Sequence, residues 1–220
     1  MLKKQIKEYS NIIWDWNGTL LNDVHLCADI MNGLLSKRNL PVITVDRYRE
    51  IFTFPVKDYY ISAGHSFENE SFEKIGMEFI VEYEKRKSIC SLYPFAEDVL
   101  KRMKSLNMKQ YLLSAYKLES LIEIIEKYGI SDYFLSIKGL DHVYADGKLE
   151  QGRQLMSEIS VNGDKESVLL IGDTVHDFEV ADELGIDCLL ISEGHQDEKK
   201  LMNIGTPVIK NMGSLYVLLN

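Results

Sequence analysis

Short runs of apolar residues recur along this chain and predict buried β-strands. We place six strands on these runs, at 11–14, 110–113, 133–137, 168–171, 188–191 and, as a short edge strand, 208–209. The first, fourth and fifth runs are almost continuously hydrophobic, which is expected of strands that are covered on both faces of a sheet.

Helical patterns lie between the later strands. They are predicted at 95–106, 118–128, 151–159 and 175–184. The last of them ends before Gly185, a residue type that commonly terminates helices. Strands that alternate with helices in this way predict a parallel α/β sheet with right-handed crossovers.

The segment between the first two strands has a different pattern. Apolar residues recur there at helical spacing, at Leu26, Ile30, Leu34, Phe72, Ile75, Phe79 and Tyr83. No buried strand is predicted in it, and it is far longer than an ordinary connection. We therefore predict an α/β fold, with a Rossmann-like parallel-sheet core (1–20 and 89–220) and an inserted helical cap domain (21–88). The hinges of the cap are expected at 21–24 and 88–93.

Composition narrows the classes of function. The chain has 220 residues, of which 45% are hydrophobic, and a formal net charge of −9. The acidic balance disfavours a protein that coats nucleic acid, and no apolar run approaches membrane-spanning length. Three scattered cysteines without a CxxC pair, and a polar first segment without the apolar core of a signal peptide, favour a cytoplasmic location.

Polar residues follow several of the predicted strands. They are Asp15 in Asp-Trp-Asn-Gly-Thr after the first strand, Ser114 after the second, Lys148 beyond the third, and Asp173 and Asp177 after the fourth. Ligands of open parallel sheets bind beyond the carboxyl ends of the strands. The groups at Asp15, Ser114 and Asp173 follow their strands directly, so these three are expected to converge. Taken singly, each motif has a simpler interpretation: a hairpin turn, a capping hydroxyl, a surface lysine, or carboxylates that cap a helix. Their joint order and spacing favour a functional site.

The order of these motifs resembles the haloacid dehalogenase superfamily of phosphohydrolases. The residues that carry the resemblance are Asp15, Gly18, Thr19, Ser114, Lys148, Asp173 and Asp177. The resemblance covers nearly the whole chain, and the predicted insertion is similar to the small helical cap of phosphoglycolate-phosphatase-like members. It implies a Mg²⁺-dependent hydrolase of small phosphomonoesters that forms an aspartyl-phosphate intermediate, which splits one difficult step into two.

The resemblance also implies roles for individual residues. The catalytic residues would be the nucleophile Asp15 together with Asn17, Ser114 and Lys148. The phosphate group of the substrate would contact Trp16, Asn17, Ser114, Ala115 and Lys148. The ligands of Mg²⁺, which prefers oxygen donors, would be Asp15, Asp173, the backbone carbonyl of Asn17, and Asp177 directly or through water.

Position 17 departs from the family's pattern. Family phosphatases usually carry a second aspartate there, which protonates the leaving group and then activates water. Asn17 keeps the shape of that side chain but cannot usefully exchange a proton. Lost general acid–base catalysis typically costs about 10²–10⁴-fold in rate. The asparagine that usually follows the phosphate-binding hydroxyl is also replaced, by Ala115.

Three interpretations therefore stay open. The chain is a phosphatase with another source of the proton, a relative of phosphonoacetaldehyde hydrolases or haloacid dehalogenases, or a protein that binds a phosphorylated ligand with weak turnover. The Asp-Trp-x-Gly-Thr sequence resembles the motif of phosphonoacetaldehyde hydrolases. The expected place of their Schiff-base lysine, around Tyr48, Arg49 and Glu50, lacks a lysine, although Lys57 lies nearby. We rank the phosphatase first.

Aromatic residues are concentrated in the predicted cap. They include Phe52, Phe54, Tyr59, Tyr60 and Phe67. We expect these side chains to form the core of the cap rather than to contact the substrate.

Overall fold

The computed structural model describes residues 4–141, 147–160 and 167–220 and shows a six-stranded sheet between layers of helices. The strands of this sheet are β1 (Asn11–Trp14), β4 (Lys109–Lys117), β5 (Ser136–Leu140), β6 (Val168–Gly172), β7 (Asp187–Ile191) and β8 (Val208–Ile209). A separate pair is formed by β2 (Leu21–Asn22) and β3 (Ser91–Leu92). The sheet order is β5-β4-β1-β6-β7-β8 and all its neighbouring strands are parallel. The predicted Rossmann-like α/β fold is confirmed.

The α-helices of the described ranges fall into two groups. Those between β2 and β3 are α1 (Val24–Lys37), α2 (Val45–Ile51), α3 (Val56–Ala63) and α4 (Phe72–Arg86). Those of the core are α5 (Ala96–Ser105), α6 (Leu118–Lys127), α7 (Leu149–Ser160), α8 (Val175–Leu184), α9 (Glu198–Met202) and α10 (Met212–Leu218). None of these helices combines the length and the apolar character that crossing a membrane requires.

Alternating side chains of the central strands build two packed layers. Ile12 and Trp14 of β1 belong to the layer of α5, α6 and α10, whereas Ile13 belongs to the layer of α7 and α8. All three side chains are fully buried. A strand that is covered on both faces needs apolar residues in succession, which explains its nearly continuous hydrophobic run.

Strands β4 and β5 differ from the prediction. β4 continues to Lys117 instead of ending at 113, but its pairing with β5 changes register between Leu113 and Lys117. Ser114 lies at the start of this irregularity. β5 begins at Ser136 rather than at 133, because Ser131–Tyr133 form a 3₁₀ turn that packs against the first layer without joining the sheet.

Helices α1–α4 form a layer with its own apolar core, which we call the helical insertion (24–86). Its fully buried side chains include Met31, Leu35 and Ile75. β2 and β3 pair in antiparallel fashion, with Leu21 opposite Leu92, so the chain leaves and re-enters the core at adjacent points. The division into a core and a cap domain at 21–88 stays a prediction.

Candidate active site

The carboxyl ends of β1, β4 and β6 bring the predicted site residues together. Asp15 follows β1, Asp173 follows β6, and Ser114 lies where the pairing of β4 becomes irregular. Lys148, just before α7, is buried and pairs with Asp15 Oδ1. Its ammonium group also donates to the carbonyl of Leu113, 3.2 Å away. Residues that are far apart in sequence thus share one site at this edge of the sheet.

Asp177 holds the lysine and caps a helix at the same time. Its Oδ1 lies 2.6 Å from Lys148 Nζ, while its Oδ2 accepts hydrogen bonds from Thr174 Oγ1 (2.6 Å) and the Thr174 N–H (2.9 Å). The latter contacts belong to a capping box at the start of α8. Burial alone would lower the pKa of Lys148, but Asp15 and Asp177 raise it above its usual value. The ammonium therefore stays charged. Helix capping, the simpler interpretation of Asp177, applies to its Oδ2 alone.

Three buried carboxylates form a candidate cation site. Asp15, Asp173 and Asp177 each place an oxygen within 4.8 Å of the others. Burial, opposed in part by Lys148, raises the pKa of Asp15 to about 8, and burial raises that of Asp173 to about 6. Without a cation the site therefore favours a proton on Asp15 at neutral pH, which a bound metal ion would displace. An all-oxygen donor set fits Mg²⁺, and Asn17, the source of the predicted carbonyl ligand, lies in the loop that follows Asp15.

The loop after Asp15 is fixed by close contacts to Asp173. Thr19 Oγ1 donates to Asp173 Oδ1 over 3.0 Å. Gly18 has a φ of 75°, and a Cβ atom there would overlap both Asp173 and His195. Backbone conformation and space both require glycine at this position.

A cavity of about 470 Å³ lies between the sheet edge and the helical insertion. Asp15, Ser114, Ala115 and Lys148 line it at the sheet edge. Four of the five aromatic residues predicted to form the cap core, Phe52, Phe54, Tyr59 and Tyr60, also line it. Tyr59 and Tyr60 are buried in the core of the insertion as predicted. Aromatic residues of the insertion can therefore belong to its core and also face the cavity, which the prediction treated as alternatives.

Ser114 and Trp16, both predicted to contact the phosphate, lie differently relative to the cavity. Ser114 Oγ accepts a hydrogen bond from the backbone N–H of Tyr116 (3.1 Å), which leaves the hydroxyl proton available for a phosphate oxygen. The Trp16 side chain instead is fully buried against Tyr128, with ring centroids 6.2 Å apart. Trp16 is not among the described residues that line the cavity. Its backbone, rather than its indole ring, is the part suited to contact phosphate.

Asn17 is held by two residues that the sequence did not single out as site residues. Asn17 Nδ2 donates to Asp23 Oδ2 (2.8 Å) and to Tyr83 Oη (2.7 Å). Tyr83 in turn donates to the same Asp23 oxygen over 2.8 Å. The amide of Asn17 is therefore fixed in orientation by the start and the last helix of the insertion.

Asp23 also contacts the core. Its Oδ1 accepts from the Gly18 N–H (3.0 Å) and lies 3.2 Å from His195 Nε2. His195 Nδ1 lies 2.7 Å from Tyr48 Oη of the insertion. Burial alone would raise the pKa of Asp23, but His195, Asn17 and Tyr83 lower it; burial would lower the pKa of His195, but Asp23 raises it. The two side chains therefore favour an ion pair.

Cys27 joins Asp23 and His195 in a second group of candidate ligand atoms within 4.8 Å of one another. Burial and the neighbouring Asp23 raise the pKa of the Cys27 thiol well above its usual value, so the thiol keeps its proton and is a poor metal ligand. We therefore assign this group a structural role. His195 follows β7, so the same strand-end rule that located Asp173 could have located it, whereas Asp23 carried no signal beyond its place in the predicted hinge.

The place expected for a Schiff-base lysine packs on the core. The Arg49 guanidinium donates hydrogen bonds to the carbonyl oxygens of Glu193 and Gly194, and each bond is 3.0 Å long. Lys57 lines the cavity, but its ammonium lies over the Phe67 ring, 5.6 Å from the centroid. Phe67 is not among the described residues that line the cavity, so the ammonium contacts a ring outside the lining.

Several known proteins resemble this chain along most of its length. Residues 12–191 match the family model of haloacid dehalogenase-like hydrolases. A phosphoglycolate phosphatase of Caulobacter vibrioides is 24% identical over 196 residues, which cover 86% of this chain and 81% of that protein. A haloacid dehalogenase-like family hydrolase from Streptococcus pneumoniae has a similar structure, with a TM-score of 0.80 at 18% identity over 97% of this chain and 99% of that one. Protein Tyrosine Kinase A of Mycobacterium tuberculosis has a TM-score of 0.76 at 19% identity, over 97% of this chain and 99% of that one. The two structures share the fold with this chain, and a fold alone does not define a reaction.

Proposed function

Because this chain belongs to the haloacid dehalogenase-like hydrolase family, we propose that it hydrolyses small phosphomonoesters with Asp15 as the nucleophile. The observation that carries the proposal is the position of Asp15, at the end of β1 and on the wall of the cavity, between Lys148 and two further carboxylates. The relative named phosphoglycolate phosphatase supports a phosphate ester as the substrate. The proposed partner is thus a small phosphorylated molecule, and the cytoplasmic location stays a prediction.

In the proposed first step, a carboxylate oxygen of Asp15 attacks phosphorus and the bond to the alcohol oxygen breaks. The product is an aspartyl-phosphate. Lys148 offsets the charge of Asp15 and of the phosphate, and the Ser114 hydroxyl donates to a phosphate oxygen. Backbone groups of the loops at Trp16, Asn17 and Ala115 complete the proposed phosphate site. In the second step water attacks phosphorus, inorganic phosphate leaves and the Asp15 carboxylate is restored.

The residues proposed to hold Mg²⁺ are Asp15, Asp173 and the carbonyl of Asn17, with Asp177 directly or through water. When bound, the ion supplies positive charge to the phosphate oxygens as negative charge develops on them. Thr19 keeps Asp173 in place through the hydrogen bond to its Oδ1. Lys148 holds Asp15 and Asp177 on either side of its ammonium group.

Asn17 limits the rate in this mechanism. Its amide donates to Asp23 and Tyr83, and an amide does not exchange a proton with the leaving oxygen. Alcohols that are poor leaving groups need a proton as the bond breaks. We therefore expect slow turnover of alkyl esters, with the proton taken from water or from the substrate.

Acid-quenched reactions with p-nitrophenyl phosphate test the proposal. We expect Mg²⁺-dependent turnover that EDTA removes, and a phosphorylated peptide that contains Asp15 in the mass spectrum. A single turnover in ¹⁸O-labelled water should place the label in inorganic phosphate. Label in the Asp15 carboxylate would instead show attack of water on carbon, as in a dehalogenase-type ester intermediate, and full activity without metal would exclude the proposed mechanism.

A phosphate-binding protein with weak turnover is the second candidate, and Asn17 is the observation that favours it. Such a protein should bind phosphate together with Mg²⁺ but accumulate no phosphorylated Asp15. The same acid quench therefore separates the two candidates.

A further inference from the structure

The cavity beside Asp15 is lined mainly by apolar groups of the helical insertion. Eight aromatic side chains of the insertion line it, among them Phe52, Phe54, Phe79 and Tyr83, together with aliphatic side chains such as Ile80. Asp15, Asp173, Asp177 and Lys148 lie at the sheet edge, where the phosphate is proposed to bind, and the insertion adds the charged groups of Lys57 and Glu84 to the lining. The part of a substrate that extends from the phosphate into the insertion therefore meets mainly rings and hydrocarbon.

The rings are held in place by contacts with one another and with the core. Phe52 stacks on His195 with centroids 5.1 Å apart, and Phe54 stacks on His176 with centroids 4.6 Å apart. Phe79 and Tyr83 are also stacked, with an angle of 12° between their planes. Fixed ring faces and edges are suited to a flat aromatic guest, because aromatic pairs prefer offset-stacked and edge-to-face arrangements.

The described cavity wall offers little to a second anionic group. Lys148 is paired with Asp15 and Asp177. The ammonium nitrogen of Lys117 lies 2.6 Å from a carboxylate oxygen of Glu119. The ammonium of Lys57 lies over the Phe67 ring. Five carboxylates line the same cavity, against three lysines. These carboxylates are Asp15, Asp23, Asp173, Asp177 and Glu84. A substrate carboxylate beside the phosphate therefore finds no buried, unpaired lysine among the described residues of the wall.

We propose that the substrate is a phosphomonoester whose alcohol carries an aromatic ring, with the ring held in the insertion while the phosphate reaches Asp15. This inference rests on the proposed phosphohydrolase function. The cavity of about 470 Å³ has the size of pockets that hold drug-sized ligands, about 300–1,000 Å³. The two-carbon acid glycolate would leave most of the apolar wall in contact with water, which is unfavourable.

Esters of primary alcohols test recognition with leaving groups of similar reactivity. The panel is 2-(2-naphthyl)ethyl phosphate, 2-cyclohexylethyl phosphate, ethyl phosphate and phosphoglycolate, each measured as kcat/KM with Mg²⁺. We expect the naphthyl ester to exceed ethyl phosphate by about 10- to 100-fold, which is the effect of burying one large apolar group. Phosphoglycolate should be the poorest. Equal values or a preference for phosphoglycolate would overturn the inference, and a cyclohexyl ester as good as the naphthyl ester would overturn its aromatic part.

Variants of the wall provide a second measurement. Phe54→Ala and Phe79→Ala should each lower the ratio of kcat/KM for the naphthyl ester over ethyl phosphate by about tenfold. Val81→Ala removes an exposed apolar side chain from the same helix as Phe79, outside the described lining, and should keep the ratio. Ratios that stay the same in both wall variants would overturn the inference. Turnover of adenosine 5′-monophosphate or pyridoxal 5′-phosphate above that of ethyl phosphate would support it and show which source supplies the ring.

Binding to the wild-type protein separates this inference from the proposed function. Calorimetry with Mg²⁺ would compare 2-(2-naphthyl)ethylphosphonate with ethylphosphonate, neither of which can be hydrolysed as an ester. At least tenfold tighter binding of the naphthyl compound supports the inference, even if no ester is turned over and the proposed function fails. Equal binding in a protein that does hydrolyse phosphomonoesters overturns the inference alone.

Discussion

Asn17→Asp combined with Asp23→Asn would exchange an amide and a carboxylate across one buried hydrogen bond. In the native protein Asn17 Nδ2 donates to Asp23 Oδ2 over 2.8 Å, and Asp23 is 1% exposed. Asn17→Asp alone removes the donor and brings two carboxylates into contact. The double change restores one donor and one acceptor at the same place, in the opposite direction.

The structure sets the size of the effect. A hydrogen bond to a charged group contributes about 1.5–3 kcal/mol, and two like charges about 4 Å apart repel by about 4 kcal/mol at an effective dielectric constant of about 20. Protonation of one carboxylate limits the sum, so Asn17→Asp should lower the free energy of unfolding by about 3–5 kcal/mol at neutral pH. Asp23→Asn keeps an oxygen acceptor for the Gly18 N–H but removes the carboxylate that pairs with His195, and should cost about 3–5 kcal/mol. The double variant should lose at least about 2 kcal/mol less than the two single losses together.

Urea unfolding of the native protein, both single variants and the double variant gives the coupling free energy directly. Asn11→Asp is a matched control, because Asn11 is a buried amide at the opposite end of β1. Its effect should add to that of Asp23→Asn within about 0.5 kcal/mol. If the losses in unfolding free energy of Asn17→Asp and Asp23→Asn also add within about 0.5 kcal/mol, the contact between the two side chains is not the cause of the destabilisation.

The same variants bear on catalysis. From the sequence alone, Asn17→Asp is expected to raise the turnover of alkyl phosphates, because it restores a proton-exchanging group. The structure adds repulsion from Asp23, so the double variant should show the larger gain, up to about 10²–10⁴-fold. A double variant that is slower than the native protein on every phosphomonoester would show that the amide serves another reaction.

Three further outcomes are expected. Asp15→Asn should abolish turnover of any accepted phosphomonoester without changing the circular dichroism spectrum, because an amide cannot take the place of the attacking carboxylate. Folded, metal-free protein keeps protons on Asp15 and Asp173 that the unfolded chain has lost above about pH 4. Its stability should therefore fall as the pH rises towards 8, and Mg²⁺ should raise the melting temperature more at pH 8 than at pH 6. Arg49→Ala should lower kcat/KM about tenfold because Arg49 ties the insertion to the carbonyl of Gly194, whereas Arg47→Ala on the same helix should not.

Each of these expectations has a contradicting result. Near-native turnover of folded Asp15→Asn would remove the assigned nucleophile. An equal or larger Mg²⁺ effect at pH 6 would show that the raised carboxylate pKa values do not belong to the metal site. Equal kcat/KM values for Arg49→Ala and Arg47→Ala would show that the contact with the core is not needed for activity.

Strand positions were predictable where burial is uniform along the strand. β1 and β8 have the predicted bounds, and β6 and β7 differ by one residue each. The prediction was wrong at β5, which begins three residues later than expected. Tyr133 and Phe134 pack against the first layer from outside the sheet. Apolar side chains serve both kinds of packing, so a short run does not distinguish them.

The site was predictable where it depends on strand ends and not where it depends on the insertion. Asp15 and Asp173 follow adjacent parallel strands, so their convergence follows from the topology. Tyr83 reaches Asn17 because α4 packs over the loop that follows β1, a tertiary contact without a local sequence signal. The side chain of Trp16 lies in the packed layer and not among the described residues of the cavity lining, and a contact of Trp16 with phosphate stays a prediction.

The helical insertion leaves the core at β2 and returns at β3, and these two strands are hydrogen-bonded side by side. The spacing of the two crossing points is therefore set by the ribbon itself and not by the length or fold of the chain between them. A lineage can exchange that chain for one of another size while Asp15 and Asp173 keep their positions. Under the proposed function, recognition of the alcohol can then change by replacing a segment and chemistry at phosphorus by changing single residues. The two stay coupled at Asn17, whose amide Tyr83 of the insertion contacts.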